Sequence, residues 1–218
     1  TMAIDTGTAE ATRPIRMSWK LSVKGGKKMK VVGFVGSPRK AGNTTSIVNE
    51  VLRGASEAGA ETKIFNLNEL SIRGCQACYK CQTPEGRCVQ TDGMAPLYNE
   101  IFSADAVVIG TPVFMFQITG QTKTFIDRLF ALLYLKDGQP GAFRNKIKGK
   151  KAITVYSQGQ PETGMFASSF DLNEGVLAFL GFQIGERIVA GGMASLDSAK
   201  SSPPIMDQAY KAGAGLVN

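Results

Sequence analysis

Apolar residues recur along this chain in two alternating rhythms. Short, nearly unbroken runs occur at residues 31–35 (Val-Val-Gly-Phe-Val), 106–110 (Ala-Val-Val-Ile-Gly) and 152–156 (Ala-Ile-Thr-Val-Tyr). Runs of this length, rich in β-branched residues and ended by turn formers, predict buried strands. Residues 62–67 and 183–189 are further strand candidates. Between the runs the spacing shifts to three and four. Ile47, Val48, Val51, Leu52 and Ala55 share one face of a helix predicted over 44–59. Helices are also predicted over 94–102, 120–135 and 166–180, the last stopped by Gly181. Pro203-Pro204 opens a final helix running to about residue 216.

Strands alternating with helices predict an α/β fold whose parallel sheet is covered on both faces. Five strands suggest a flavodoxin-like three-layer sandwich with a five-stranded parallel sheet in the order 2-1-3-4-5. Ligands in such sheets bind beyond the carboxyl ends of the strands, where the strand order reverses. The loops after the first, third and fourth strands are therefore the places to look for chemistry.

The 218 residues suffice for one domain, expected over 29–218 with an insertion at 74–93. Residues 1–28 read as a flexible basic extension, with Lys24-Gly-Gly-Lys-Lys28 as its joint and Trp19 as a candidate anchor. The net charge of +7 is concentrated there: residues 1–30 carry +5 and the remainder only +2. A nearly balanced body argues against a nucleic-acid surface. No apolar run approaches the roughly 18 residues of a membrane span. The first thirty residues lack a secretory apolar stretch, so the expected compartment is cytoplasmic. Lys146, Lys148, Lys150 and Lys151 read as a solvated loop or as an attraction for a phosphorylated dinucleotide. The chain has no histidine, which excludes Ser-His-Asp and Cys-His nucleophiles and imidazole acid–base catalysis.

All the cysteines lie within one short segment: Cys75, Cys78, Cys81 and Cys88, spaced Cys-x2-Cys-x2-Cys-x6-Cys. An iron–sulfur cluster needs about four thiolates converging on one point, and tight Cys-x2-Cys turns can supply them. Gly74, Pro84 and Gly86 let the backbone turn back, and Lys80 and Arg87 would offset a cluster's negative charge. Zinc would also use four thiolates, but structural zinc ligands come mostly as two separated pairs. Disulfides or free thiols would account for the same four residues, disulfides being disfavoured in a reducing compartment.

Gly36-Ser-Pro-Arg-Lys-Ala-Gly-Asn-Thr-Thr45 joins the first strand to the first helix. Backbone N–H groups at such a helix N-terminus favour an anion. Ser37, Asn43, Thr44 and Thr45 add short donors and Arg39 adds charge. Gly36 and Gly42 have five residues between them and Asn43 follows, so this is neither a Walker A loop nor Gly-x-Gly-x-x-Gly.

Ser-Pro-Arg-x-x-Gly-Asn-Thr after a first strand, followed by the cysteine motif, resembles the iron–sulfur flavoproteins within the flavodoxin-like NAD(P)H-dependent FMN reductase family. The resemblance spans roughly residues 29–216. It implies an FMN phosphate held by Ser37, Arg39, Asn43, Thr44 and Thr45, and one [4Fe–4S] cluster on Cys75, Cys78, Cys81 and Cys88. The isoalloxazine is expected against Pro112, Val113, Phe114, Met115 and Phe116, where relatives read Pro-x-Tyr. Ser157, Gln158, Gly159 and Met165 belong to the loop expected on its other side, with Ser157 and Gln158 as donors to the ring carbonyls. The helix from Gly120 is expected by a subunit contact, with Lys123, Asp127 and Arg128 serving assembly. The resemblance further implies a homodimer or homotetramer, a small-molecule or protein electron donor and acceptor, NAD(P)H as a possible donor, and neither nucleic acid nor membrane as partner.

Three functions follow. The first is an electron-transfer flavoenzyme with FMN and a cluster. The second is a cluster-free NAD(P)H-dependent FMN or quinone reductase with the cysteines as spectators, since related reductases can keep such cysteines without a cluster. The third is a non-enzymatic redox sensor contacting partners through its basic extension.

Overall fold

The structure is a computed structural model, and it describes residues 28–217. The expected extension, Trp19 included, lies outside the described residues apart from Lys28. Elements follow in the order β1 (Lys30–Val35), α1 (Asn43–Glu57), β2 (Glu61–Asn66), α2 (Ala95–Ser103), β3 (Ala106–Phe114), β4 (Gln117–Ile118), α3 (Gly120–Arg128), β5 (Leu133–Leu135), β6 (Phe143–Asn145), β7 (Lys150–Ser157), α4 (Ala167–Phe179), β8 (Phe182–Ala190) and α5 (Pro203–Val217).

The five long strands pair in parallel in the order β2-β1-β3-β7-β8, which is the flavodoxin-like order. β1 and β3 are central, and their stretches Val31–Val35 and Ala106–Gly110 are buried, which is why those runs are apolar. β2, at an edge, carries Glu61 and Lys63. One face packs Ile47, Val48 and Val51 of α1 and Ala209, Ala212 and Leu216 of α5. The other face packs Leu97 and Ile101 of α2, Phe125 and Ile126 of α3, and Leu177 of α4. Helices α1 and α5 meet at backbone contact. A Cβ added at Gly213 would lie 1.8 Å from the Val51 carbonyl oxygen, and one at Gly54 would lie 2.1 Å from that of Tyr210. Only glycine permits this approach.

Two expectations are corrected. The helix predicted over 120–135 ends at Arg128; a 3-10 turn (Leu129–Leu132) follows, and Leu133–Leu135 then forms β5, antiparallel to β6. The run after Arg128 is apolar because it is buried, and burial alone does not distinguish helix from strand. The segment expected as a loop after the third strand is instead a hairpin. β3 continues to Phe114 and pairs with β4 through Val113–Ile118 and Phe114–Gln117. Its two-residue turn is Met115-Phe116, with φ of 46° and 67°. Two consecutive left-handed residues are what a tight hairpin needs, and Asn-Gly more often provides them.

Candidate functional site

The carboxyl ends of β1, β3 and β7 open into a cleft of about 120 Å³, partly open to solvent. Its floor is the β1–α1 loop. Gly36 donates its N–H to the Gly110 oxygen at 2.8 Å, and its own oxygen accepts the Thr119 hydroxyl at 2.7 Å. A Cβ there would sit 1.7 Å from Thr122 Oγ1, so the N-terminus of α3 clamps this turn directly. The first backbone bond of α1 runs from the Ser46 N–H to the Gly42 oxygen. The N–H groups of Asn43, Thr44 and Thr45 precede it and have no acceptor within the helix. Free amides at a helix N-terminus favour an anion.

Side chains around these amides divide into two groups. Ser37 and Arg39 line the cleft, with Ser37 Oγ accepting the Arg39 N–H at 3.1 Å. Thr45 Oγ1 donates to the Arg39 oxygen at 3.2 Å and shapes the loop without lining the cleft. Thr44 Oγ1 meets Ser157 Oγ at 2.6 Å, joining the first loop to the one after β7. Asn43 lines the cleft, but its carboxamide serves the chain. It donates to the Ser195 oxygen at 2.6 Å and accepts the Ala199 N–H at 2.9 Å. What Asn43 offers an anion is its backbone N–H.

Pro112, Val113 and Phe114 line one side, and Ser157, Gln158 and Gly159 the other. Met115, Phe116 and Met165 do not line the cleft. Met115 is 89% exposed at the hairpin tip, Phe116 stacks edge-on with Phe166 at 5.4 Å, and Met165 is exposed. Gln158 spends both amide hydrogens on the Gln160 and Glu162 oxygens at 3.2 and 2.7 Å. That fixes its orientation and leaves Oε1, buried and unpartnered, as an acceptor. Gly42 and Met193 also line the cleft and were not singled out from sequence. Gly42 belongs to the β1–α1 loop; Met193 arrives on an irregular segment pinned by Asn43, which no local pattern announces. Free helix amides, short donors, a cation, apolar walls and an orphaned acceptor together suit FMN.

The cysteine segment is a different construction. Between Leu70 and Ala95 there is no helix or strand. Cys75 and Cys78 are exposed, Cys81 is buried and Cys88 half-buried. Gln82 Nε2 donates to Cys81 Sγ at 3.4 Å, and Arg128 Nη2 donates to Cys88 Sγ at 3.3 Å. Lys146 Nζ donates to the Cys81 and Gly86 oxygens at 2.7 and 2.6 Å, and its burial lowers its pKa. Burial pushes the Cys88 thiol up, but the Gln90 N–H, the Tyr98 hydroxyl and Arg128 outweigh it and hold the thiol below its ordinary value. Four thiols with N–H donors at two sulfurs and two internal cations suit a thiolate-ligated cluster in kind and charge. Convergence is not present: among the described residues no three metal-binding side chains are gathered into one group.

Arg128 corrects its expected part in assembly. It is 2% exposed and pairs internally with Asp92. Lys80 and Arg87, expected to balance the cluster's charge, lie towards solvent, while Arg128 and Lys146, which sequence reasoning did not connect with the cysteines, lie beside them.

The family described as NADPH-dependent FMN reductase matches residues 29–190. An iron–sulfur flavoprotein of Archaeoglobus fulgidus is 32% identical over 177 residues, covering 80% of this chain and 76% of that protein. Among solved structures, an NAD(P)H:quinone oxidoreductase from Methanothermobacter marburgensis superposes with a TM-score of 0.69 at 20% identity, covering 88% of this chain and 98% of the other. An FMN-dependent NADH-azoreductase from Bacillus anthracis, solved in complex with FMN, gives 0.67 at 15% identity, covering 87% of this chain and all (100%) of the other. These two likenesses concern the fold.

Proposed function

The chain belongs to the NADPH-dependent FMN reductase family, and from that premise we propose that this flavin-dependent oxidoreductase is an electron-transfer enzyme carrying FMN and one [4Fe–4S] cluster on Cys75, Cys78, Cys81 and Cys88. The observation that carries the flavin half is the open first turn of α1, with Ser37, Arg39, Asn43 and Thr44 lining one cleft. When bound, FMN exchanges a hydride or single electrons and a cluster exchanges single electrons, so together they connect two-electron with one-electron partners.

The chain's own residues bind and orient. The amides of Asn43, Thr44 and Thr45, with Ser37 and Arg39, hold the phosphate. Pro112, Val113 and Phe114 wall the ring from one side and Gly159 admits it closely on the other. Gln158 Oε1 accepts from a ring N–H, the reverse of the donor role expected from sequence. No imidazole is needed, and none is present. NAD(P)H is the donor we favour, with a small molecule or a protein as the other partner. Among the described residues no helix is long and apolar enough to cross a membrane. A homodimer or homotetramer is the assembly expected from the family.

The ungathered thiols favour one second reading, a cluster-free NAD(P)H-dependent FMN or quinone reductase. Protein purified without oxygen and analysed for FMN, iron and sulfide decides. We expect one FMN and about four iron and four sulfide per chain. FMN with negligible iron and sulfide selects the second reading. Colourless protein that refuses added FMN overturns both.

A further inference from the structure

The cysteine loop stands on two feet, and one side chain holds both. Arg128 Nη1 donates to the Arg73 oxygen at 2.7 Å, two residues before Cys75. The same nitrogen donates to Asp92 Oδ2 at 2.6 Å, and Nη2 reaches Asp92 Oδ1 at 3.1 Å. Asp92 closes the ring by accepting the Arg73 and Met94 N–H groups at 2.9 and 3.1 Å. Nη2 also donates to Cys88 Sγ. The guanidinium comes from the end of α3, a packed helix of the domain body. Its planar fork thus joins entry, exit and one sulfur of a loop that has no regular structure of its own.

We propose that Arg128 is a positioning residue for the metal centre: it latches the feet of the cysteine loop through Asp92 and Arg73 and presents Cys88 as a ready ligand. Lys146 ties the middle of the loop through the Cys81 and Gly86 oxygens. Cys81 and Cys88 therefore sit on anchored backbone, while Cys75 and Cys78 are exposed and fold in when the metal arrives. An N–H donor and a positive charge at the sulfur stabilise the reduced form of a thiolate-ligated cluster. This inference rests on the cluster reading above, and its test separates the two.

Arg128→Gln, Arg128→Lys and Asp92→Asn are compared with wild type as full-length, FMN-loaded protein. In metal-free protein, amide exchange across residues 71–94 is expected to quicken about tenfold in Arg128→Gln, with the sheet unchanged. After anaerobic reconstitution with iron and sulfide, the centre in Arg128→Gln is expected at a lower reduction potential than wild type. Arg128→Lys, which keeps the charge and loses the fork, is expected to recover part of that potential shift while its loop stays less protected than wild type. If wild type builds no cluster, the functional reading fails and amide exchange alone decides the latch. Wild-type exchange and potential in Arg128→Gln overturn the inference and leave the function standing. If Arg128→Gln loses FMN, Asp92→Asn decides: faster exchange over 71–94 supports the latch and unchanged exchange overturns it.

Discussion

The cleft proposed for FMN and the cysteine loop face opposite problems. The cleft is assembled from the ends of β1, β3 and β7 and the start of α1, all fixed by a sheet whose three inner strands are largely buried. Its hydroxyls and amides are placed by the fold, so the site exists before its ligand does. The cysteine loop has no ladder or helix to place its sulfurs. It borrows order from outside, through Arg128, through Lys146, and through the Phe130 and Leu133 oxygens that accept from Gln82, and this reaches Cys81 and Cys88 but not Cys75 or Cys78. A preformed site gains affinity from its rigidity. A site with free ligands couples metal binding to its own ordering.

The largest test is to remove one ligand from the unanchored half. Cys78 is exposed, and serine matches its shape, so Cys78→Ser leaves the fold intact. We expect iron and sulfide to fall to background while FMN stays at one per chain, read by metal analysis and the visible spectrum. Loss of FMN along with iron would show that the two regions are not separable.

A matched pair of glycine substitutions measures the same contrast in stability. At Gly36 a new Cβ would overlap Thr122 Oγ1, whereas at Gly74 nothing lies within 4 Å. Gly36→Ala should cost about 1–3 kcal/mol in denaturant unfolding and weaken FMN binding. Gly74→Ala should stay within about 0.5 kcal/mol of wild type. Equal costs would mean that the cysteine loop is packed as tightly as the rim.

The contrast also explains what was legible in the sequence. Buried parallel strands announce themselves as apolar runs, so β1, β3 and β7, their order and the loops at their ends could be read directly. Ten of the expected cofactor contacts line the cleft: Ser37, Arg39, Asn43, Thr44, Pro112, Val113, Phe114, Ser157, Gln158 and Gly159. Finer roles could not be read, because they depend on where a side chain's other bonds go. Asn43 turns its carboxamide to Ser195 and Ala199, and Gln158 spends its hydrogens on its own loop. Arg128 on a helix reads as surface charge; its burial rests on partners distant in sequence, chiefly Asp92, 36 residues away, and the Arg73 oxygen, 55 residues away. The short pair β5–β6 left no signal, being three residues each.

Acid should loosen the cysteine loop before it loosens the cleft. Burial alone would raise the Asp92 pKa, but Arg128 and the Arg73 and Met94 N–H groups prevail and hold it below its ordinary 3.8. A carboxylate depressed on folding contributes stability that is complete above its unfolded pKa and is lost as pH falls through the folded one. Protection of residues 71–94 should therefore be flat above about pH 5 and decline below about pH 4, with the sheet still protected. In Asp92→Asn that acid limb should vanish. A decline that persists in Asp92→Asn would assign it to another group.

The smallest expected effect is at the tip of the β3–β4 hairpin, beside the cleft. Met115 and Phe116 both hold positive φ, which costs energy for residues with side chains. Neither lines the cleft, and both are exposed. Replacing the pair with Asn-Gly relieves the backbone and gives up only the edge contact of Phe116 with Phe166. Stability should rise by about 0.5–1 kcal/mol with FMN affinity unchanged. If FMN affinity instead falls with the exchange, the apolar tip closes over the ring once it is bound. The cleft would then share the cysteine loop's property of completing itself around its ligand, and the contrast between the two regions would be one of degree.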